Sequence, residues 1–548
     1  MVANYVVSTR KWLDDDEFRE VISIADYLGR ENGVSKFSLN LSKILRNGFD
    51  VDDVVEILEK YDFTYSEDLI KILSKELSRE VEVVMEFDVN SKNIILIPNT
   101  YLGEIYEKIK NYVTYDRQKK NFKVLPYYFF TVVKILTDLG VKVINNTGFK
   151  ELQPLPFKLE FKGSLRDYQV EALDKWISNN YQGIIALPTG SGKTVIGIAA
   201  ICRLSERCLI VTYTKDQLTQ WVDSILRFTN ASRSAIGMYY SEEKNIAPIT
   251  LTTYQTAYKY ITNLMPYFSL LIIDEVHHLP AEKFKHIALY SIAQHRMGLS
   301  ATPYREDGKH TILFPLMGGV VYYKTPTELA EMGYLAPYEV ITIYVRLTPD
   351  ERKKYLELIK KYRELVGSST FEDVLKAAKN GNPKALEALK IHTSIKLLVQ
   401  KSRSKVEKVK EIIESEVSKG NKIIVFAHYV DLAEEIAKSV GALLLTGDMD
   451  KSRREYILNK FKQMKYGVLV VTTVGDEGLD IPDASVGILV AGTGSRRQFI
   501  QRLGRLLRPK EGKKAVLYEI VVRGTSEELQ SKRRKSLELD LDIEDQNI

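Results

Sequence analysis

The sequence predicts an α/β protein with two parallel-sheet halves, a helical insertion in the second half and a smaller α+β region ahead of both. Three observations carry that expectation. The first is Leu187-Pro188-Thr189-Gly190-Ser191-Gly192-Lys193-Thr194, entered from the apolar run Ile184-Ile185-Ala186 and left by the helical pattern Val195-Ile196-Gly197-Ile198-Ala199-Ala200. The second is the run Leu270-Leu271-Ile272-Ile273, which delivers Asp274-Glu275-Val276-His277-His278. The third is a later series of apolar runs at 423–427, 442–445, 468–472, 486–490 and 515–522, alternating with helical patterns. Short apolar runs separated by helices imply parallel strands with right-handed crossovers.

At 548 residues the chain exceeds a single core, so three or four domains are expected. Hydrophobic content of 45% and charged content of 27% indicate a soluble globular protein. No apolar run reaches membrane-spanning length, and the N-terminus lacks the apolar stretch of a signal peptide. The two cysteines, Cys202 and Cys208, are expected to be buried thiols in a reducing cytoplasm, and they are too few for a four-cysteine zinc or iron–sulfur site. The net charge of +6 says little about partners. Its distribution says more, because thirteen Lys/Arg stand against four Glu between 496 and 535, a basic segment suited to an anionic partner.

In chain order, residues 1–80 read as helical, with Phe18, Val21, Ile22, Ala25 and Leu28 at helix spacing and Asp50 as a cap. Residues 81–150 read as a small α/β domain that opens on a hairpin around Asn90-Ser91-Lys92-Asn93. A linker is expected at 147–163, then a first α/β domain at 160–335 and a second at 336–531. Residues 310–336 read as irregular. Thr348-Pro349-Asp350-Glu351 has the chemistry of a helix start and opens the insertion at 348–395. One face of that helix is apolar, and the other carries Lys353, Lys354, Lys360, Lys361 and Arg363, well placed to hold a phosphate backbone.

The chemistry concentrates in a few positions. A strand–glycine turn–helix aims backbone N–H groups and a helix N-terminus at one point, which suits phosphate. Gly190, Ser191 and Gly192 form that turn, Lys193 reaches the β/γ-phosphates and the Thr194 hydroxyl can ligate Mg²⁺. The full motif has glycine where this chain has Leu187. Asp274 is placed to hold hydrated Mg²⁺ and Glu275 to act as general base on water. About 25 residues before the turn, Arg166 and Gln169 can read an adenine edge. Thr252 and Thr253 end another strand with hydroxyls suited to phosphate, and so do Ser300 and Thr302, which precede Arg305-Glu306-Asp307. The second half has no phosphate loop, yet it presents Arg505 and Arg508 three apart on a helix pattern.

The series Leu187–Thr194, Asp274-Glu275-Val276-His277, Ser300-Ala301-Thr302 and Gln501-x-x-Gly504-Arg505-x-x-Arg508 resembles the superfamily-two helicases and translocases. Arg305-Glu306-Asp307, Gly475-Asp476 and Gly494-Ser495-Arg496-Arg497-Gln498 narrow the resemblance to the XPB family of nucleotide-excision-repair and transcription helicases, in an archaeal-looking form. The resemblance covers about 160–525. It implies two RecA-like domains with ATP between them, DNA across them and the 348–395 insertion as a thumb. It also implies roles. Arg166 and Gln169 contact adenine, and Asp480 belongs with the nucleotide contacts. Gln501 faces the γ-phosphate, and Arg505 and Arg508 are arginine fingers. Ser300 and Thr302 couple hydrolysis to DNA movement, Thr253 and Thr472 belong to the DNA-coupling set, and Arg305-Glu306-Asp307 acts where strands separate. The expected function is ATP- and Mg²⁺-dependent 3′–5′ DNA translocation or unwinding in the cytoplasm, as a monomer or with a nuclease in a heterodimer. An RNA helicase and an ATP-binding scaffold that recruits a nuclease are the alternatives.

Overall fold

The computed structural model describes residues 5–77, 81–302, 308–472, 484–490 and 515–531. They fall into two units. One comprises Met1–Gln153, Tyr260–Ser269 and Lys285–Gln294, the other Pro154–Lys259, Leu270–Phe284 and His295–Ile548.

The first unit departs from the helical expectation for residues 1–80. Among its described residues up to 77, four helices are present, Asp15–Ile22, Leu41–Arg46, Val51–Lys60 and Glu67–Leu77. They pack with a three-stranded antiparallel sheet in which Val34–Leu39 lies between Val6–Thr9 and Ala25–Glu31. Ala25 and Leu28 keep helical spacing with Val21, yet they lie in a strand. The cause is local: Asn32 and Gly33 take positive φ angles of 49° and 79°, which closes a tight hairpin. Ser35, Phe37 and Leu39 then alternate inward, and Phe37 is fully buried.

Glu82–Asp88 and Asn93–Pro98 form the expected hairpin in a five-stranded sheet. The helix Phe129–Asp138 buries Phe129, Val132 and Leu136 in one core of this unit, with Met265 and Ile292. Part of the expected linker is not free chain. Leu155 N donates to Ser205 O at 2.8 Å and Lys162 N to Phe228 O at 2.7 Å, so these residues run along the second unit.

Among the described residues, the second unit holds two all-parallel sheets. The first has seven strands, ordered Ile236–Tyr239, Ile249–Thr253, Cys208–Thr212, Leu270–Asp274, His295–Ser300, Gln182–Ala186 and Val320–Tyr323. The last of these, with the helices Leu313–Met317 and Pro326–Glu331, lies where the sequence reads as irregular. Four β-branched or aromatic residues after Gly318-Gly319 suffice for an edge strand. The central strands are buried on both faces, as parallel strands covered by helices must be. The second sheet has six strands, ordered Tyr338–Val345, Ala515–Val522, Val486–Leu489, Lys422–Ala427, Gly467–Thr472 and Leu443–Leu445.

The insertion is three helices, Pro349–Val366, Phe371–Lys379 and Pro383–Gln400. Thr348 and Glu351 form the capping box that their spacing predicts. The Glu351 carboxylate does more, accepting from Ser402 Oγ at 3.0 Å and Arg403 N at 2.9 Å at the start of the next helix. Burial works to raise its pKa, but the N–H groups of Arg403 and Thr348 and the Ser402 hydroxyl outweigh it and hold the carboxyl low. One carboxylate thus fastens both ends of the insertion.

Candidate nucleotide site

Parallel pairing collects the sequence motifs. Asp274 pairs in register with Leu299, and Ser300 with Ala186. The turns after these three strands therefore open side by side at one carboxyl edge of the sheet, where open α/β sheets bind ligands.

The glycine turn begins the helix Lys193–Leu204. Gly192 sits at the left-handed φ of 82° that favours glycine, and a Cβ there would push on Gln169 Nε2, 2.5 Å away. Gln169 Nε2 donates to Ser191 O at 2.9 Å, while Gln169 Oε1 accepts from Arg166 N at 2.9 Å. Tyr168 OH also donates to Ser191 O. The Arg166 guanidinium lies 5.8 Å from the Tyr334 ring centroid. Lys193 Nζ donates to Leu187 O at 2.8 Å and Pro188 O at 3.2 Å. Burial pushes its ammonium pKa down against the pull of Glu275 and Asp274.

Asp274 is held at both oxygens. Trp221 Nε1 donates to Oδ2 at 2.9 Å and Glu275 N to Oδ1 at 2.9 Å. Burial pushes the carboxyl pKa up, opposed by the Trp221 bond, the Lys193 charge and the Glu275 N–H. Trp221 reaches Asp274 because Gly197 lets its helix come close: a Cβ at 197 would meet the indole at 2.6 Å. Trp221→Phe is expected to destabilise the fold by about 1–3 kcal/mol, since it strips the donor from a buried carboxylate. An unchanged urea midpoint would show that this bond contributes nothing.

Glu275 adopts φ 50° and ψ 49°, a left-handed conformation uncommon for any residue but glycine. Tyr254 OH donates to the carbonyls of Asp274 at 3.2 Å and Glu275 at 3.0 Å, which fixes this turn. His277 is fully buried. Its Nδ1 lies 3.0 Å from Ser300 Oγ and 3.3 Å from Glu275 Oε2. Ser300 Oγ donates to Thr302 O at 2.7 Å, which leaves His277 Nδ1–H as the donor to Ser300. A buried chain of contacts thus runs Glu275–His277–Ser300–Thr302.

The structure therefore brings together Arg166, Gln169, Gly190, Ser191, Gly192, Lys193, Thr194, Asp274, Glu275, Ser300 and Thr302 at this edge. Thr253 is buried and its hydroxyl donates to Thr256 Oγ1 at 3.1 Å. Among the described residues its neighbour Thr252, like Thr302 and Thr472, has a buried hydroxyl without a hydrogen-bond partner. Thr472 ends a strand of the other sheet, and Lys353 and Lys354 are exposed on the insertion. Arg305, Glu306, Asp307, Asp480, Gln501, Arg505 and Arg508 lie outside the described residues. Sequence reasoning missed Trp221, Tyr168 and His277 as parts of the site. Trp221 and His277 act through partners distant in sequence, Asp274 and Ser300, and Tyr168 through Ser191.

The comparisons with known proteins agree with this layout. The family described as "Type III restriction enzyme, res subunit" matches residues 162–305, and "ERCC3/RAD25/XPB C-terminal helicase" matches 387–542. The chain is 38% identical to "DNA 3'-5' translocase XPB2" of Sulfurisphaera tokodaii, over 76% of this chain and 94% of that protein. It is 30% identical to "DNA 3'-5' helicase XPB" of Mycobacterium tuberculosis, over 72% of this chain and 67% of that one. A "General transcription and DNA repair factor IIH helicase/translocase subunit XPB" of Enterocytozoon bieneusi is 26% identical, over 95% of this chain and 87% of that one. With two parallel sheets, a phosphate-type turn beside an Asp-Glu strand end, and these relatives, the chain belongs to the XPB family of superfamily-two helicases.

Proposed function

We propose that the protein is an ATP-driven DNA translocase and helicase that moves 3′ to 5′ and serves nucleotide excision repair or transcription-linked DNA opening. The observation that carries this reading is the meeting of the glycine turn with Asp274, Glu275 and Ser300 at one sheet edge, joined through His277. Mere binding of ATP would not need a general base wired to a second strand end. The names of the relatives support both the polarity and the repair or transcription setting.

The residues at the edge fit a magnesium nucleotide. A hydroxyl and a single carboxylate are hard oxygen donors of the kind that hold Mg²⁺ together with phosphate oxygens. Lys193 now donates to two carbonyls, and it would exchange them for β/γ-phosphate oxygens. Mg²⁺ held by Thr194 and Asp274 would neutralise charge developing on the phosphates. Glu275 would accept a proton from the attacking water. Arg166 and Gln169 would face adenine, with the Gln169 amide shared with the turn. Asp480 and Gln501 would complete the nucleotide contacts. Ser300 and Thr302 would pass the state of the site to DNA, and Thr253, Thr472 and Arg305-Glu306-Asp307 would act on the strand.

On this reading residues 160–335 and 336–531 are the two motor domains and 348–395 the thumb. Lys353, Lys354, Lys360 and Lys361 are all exposed. Changing the four to alanine is expected to weaken duplex binding and to lower the log–log salt slope by about 0.9 per lost phosphate contact. An unchanged slope would make the insertion a packing element. The chain would work in the cytoplasm on the nucleoid, as a monomer or with a nuclease partner. Displacement of a third strand from a DNA triplex tests the function. ATP-dependent displacement from one polarity only is expected, and none from either side would contradict translocation.

A further inference from the structure

The second sheet carries a surface that the proposed ATP chemistry does not use. The helix Lys451–Gln463 crosses from the edge strand Leu443–Leu445 to the strand Gly467–Thr472. Ile457 and Phe461 bury its inner face. Arg453, Tyr456 and Lys460 share an outward stripe, and Lys465 and Tyr466 are exposed in the turn that follows the helix. Tyr456 is 65% exposed and Tyr466 59%. Lys460 Nζ lies 6.0 Å from the Tyr456 ring centroid. From 451 to 466 six lysines and arginines stand against Glu455 alone, a net charge of +5. Among the described residues no carboxylate forms an ion pair with Arg453, Lys460, Lys462 or Lys465.

Solvation alone accounts for the lysines but leaves two large rings in water on this helix and its following turn. An acidic peptide would use the charges and has no need of the rings. Single-stranded nucleic acid uses both, because phosphates meet cations while every base offers a face for stacking. We infer that this stripe and the turn after it bind single-stranded nucleic acid, with Tyr456 and Tyr466 as stacking platforms and Arg453, Lys460 and Lys465 on phosphates. The geometry also gives a direction. In a parallel sheet the crossover helix runs from the carboxyl edge back to the amino edge, so the track leads away from the end that holds Thr472, over roughly 20 Å. A strand displaced by the motor, if the proposed function holds, would be led off along it.

The test uses the full chain without nucleotide and a fluorescent oligothymidylate. Tyr456→Ala and Tyr466→Ala are each expected to weaken binding by about fivefold or more, with Tyr456→Phe near wild type. Arg453→Ala with Lys460→Ala is expected to lower the salt slope by about 1.4, at 0.7 per single-strand contact. Halogenated uracil in the oligonucleotide should photocross-link to the 451–466 peptide. DNA-stimulated ATP turnover at saturating duplex should stay near wild type in these variants. Absence of turnover in the parent chain would sink the motor reading and leave the track measurable. Unchanged oligonucleotide binding in variants of normal melting temperature would overturn the track. Loss of polyglutamate binding with oligonucleotide binding intact would also overturn it and assign the face to an acidic protein.

Discussion

Glu275→Gln is expected to lower DNA-stimulated ATP turnover by about 10²–10⁴-fold while nucleotide binding persists, because a general base contributes about that much. The substitution keeps the shape of the side chain and the main-chain anchors, since Tyr254 holds the carbonyls of Asp274 and Glu275 rather than the carboxylate. It removes the proton acceptor and the charge that faces His277 and Lys193. The left-handed conformation of Glu275 carries a strain of roughly 1–3 kcal/mol, and strain of that kind persists where the surroundings fix a functional geometry. Retention of more than roughly a tenth of wild-type turnover would show that another group takes the proton.

Arg505→Ala and Arg508→Ala are each expected to cut kcat by roughly 10³–10⁵, the range of an arginine finger, with nucleotide affinity changed much less. The basis is the sequence: two arginines three apart in a half that has no phosphate loop of its own. Arginines kept for an interface need an anion to meet them, and a γ-phosphate on Lys193 would be the anion the other half supplies. Closure on ATP and opening after hydrolysis would then turn chemistry into steps along DNA. Arginines that bound DNA instead would raise the DNA concentration needed for half stimulation. Turnover at saturating DNA would then stay near wild type, and that result would remove the finger assignment.

The motifs were legible because their chemistry is local. A glycine turn between a strand and a helix, and a carboxylate pair after four apolar residues, reveal their placement by spacing alone. The Thr348–Glu351 capping box was legible for the same reason. Asn32-Gly33 was equally local, but a five-residue helical coincidence from Phe18 to Leu28 masked the hairpin that it closes. The strand Val320–Tyr323 was hidden because four residues are too few to show a period. Trp221 and His277 were hidden for a different reason. Each matters through a partner distant in sequence, Asp274 for the indole and Ser300 for the imidazole, and only strand order brings those partners near.

Steady-state ATP hydrolysis by the purified chain, measured alone, with duplex DNA and with RNA, tests the central claim most directly. Slow hydrolysis alone, strong stimulation by DNA and none by RNA are expected of a motor whose base at Glu275 is linked through His277 to Ser300 and Thr302. Hydrolysis indifferent to DNA, or stimulated by RNA alone, would contradict it.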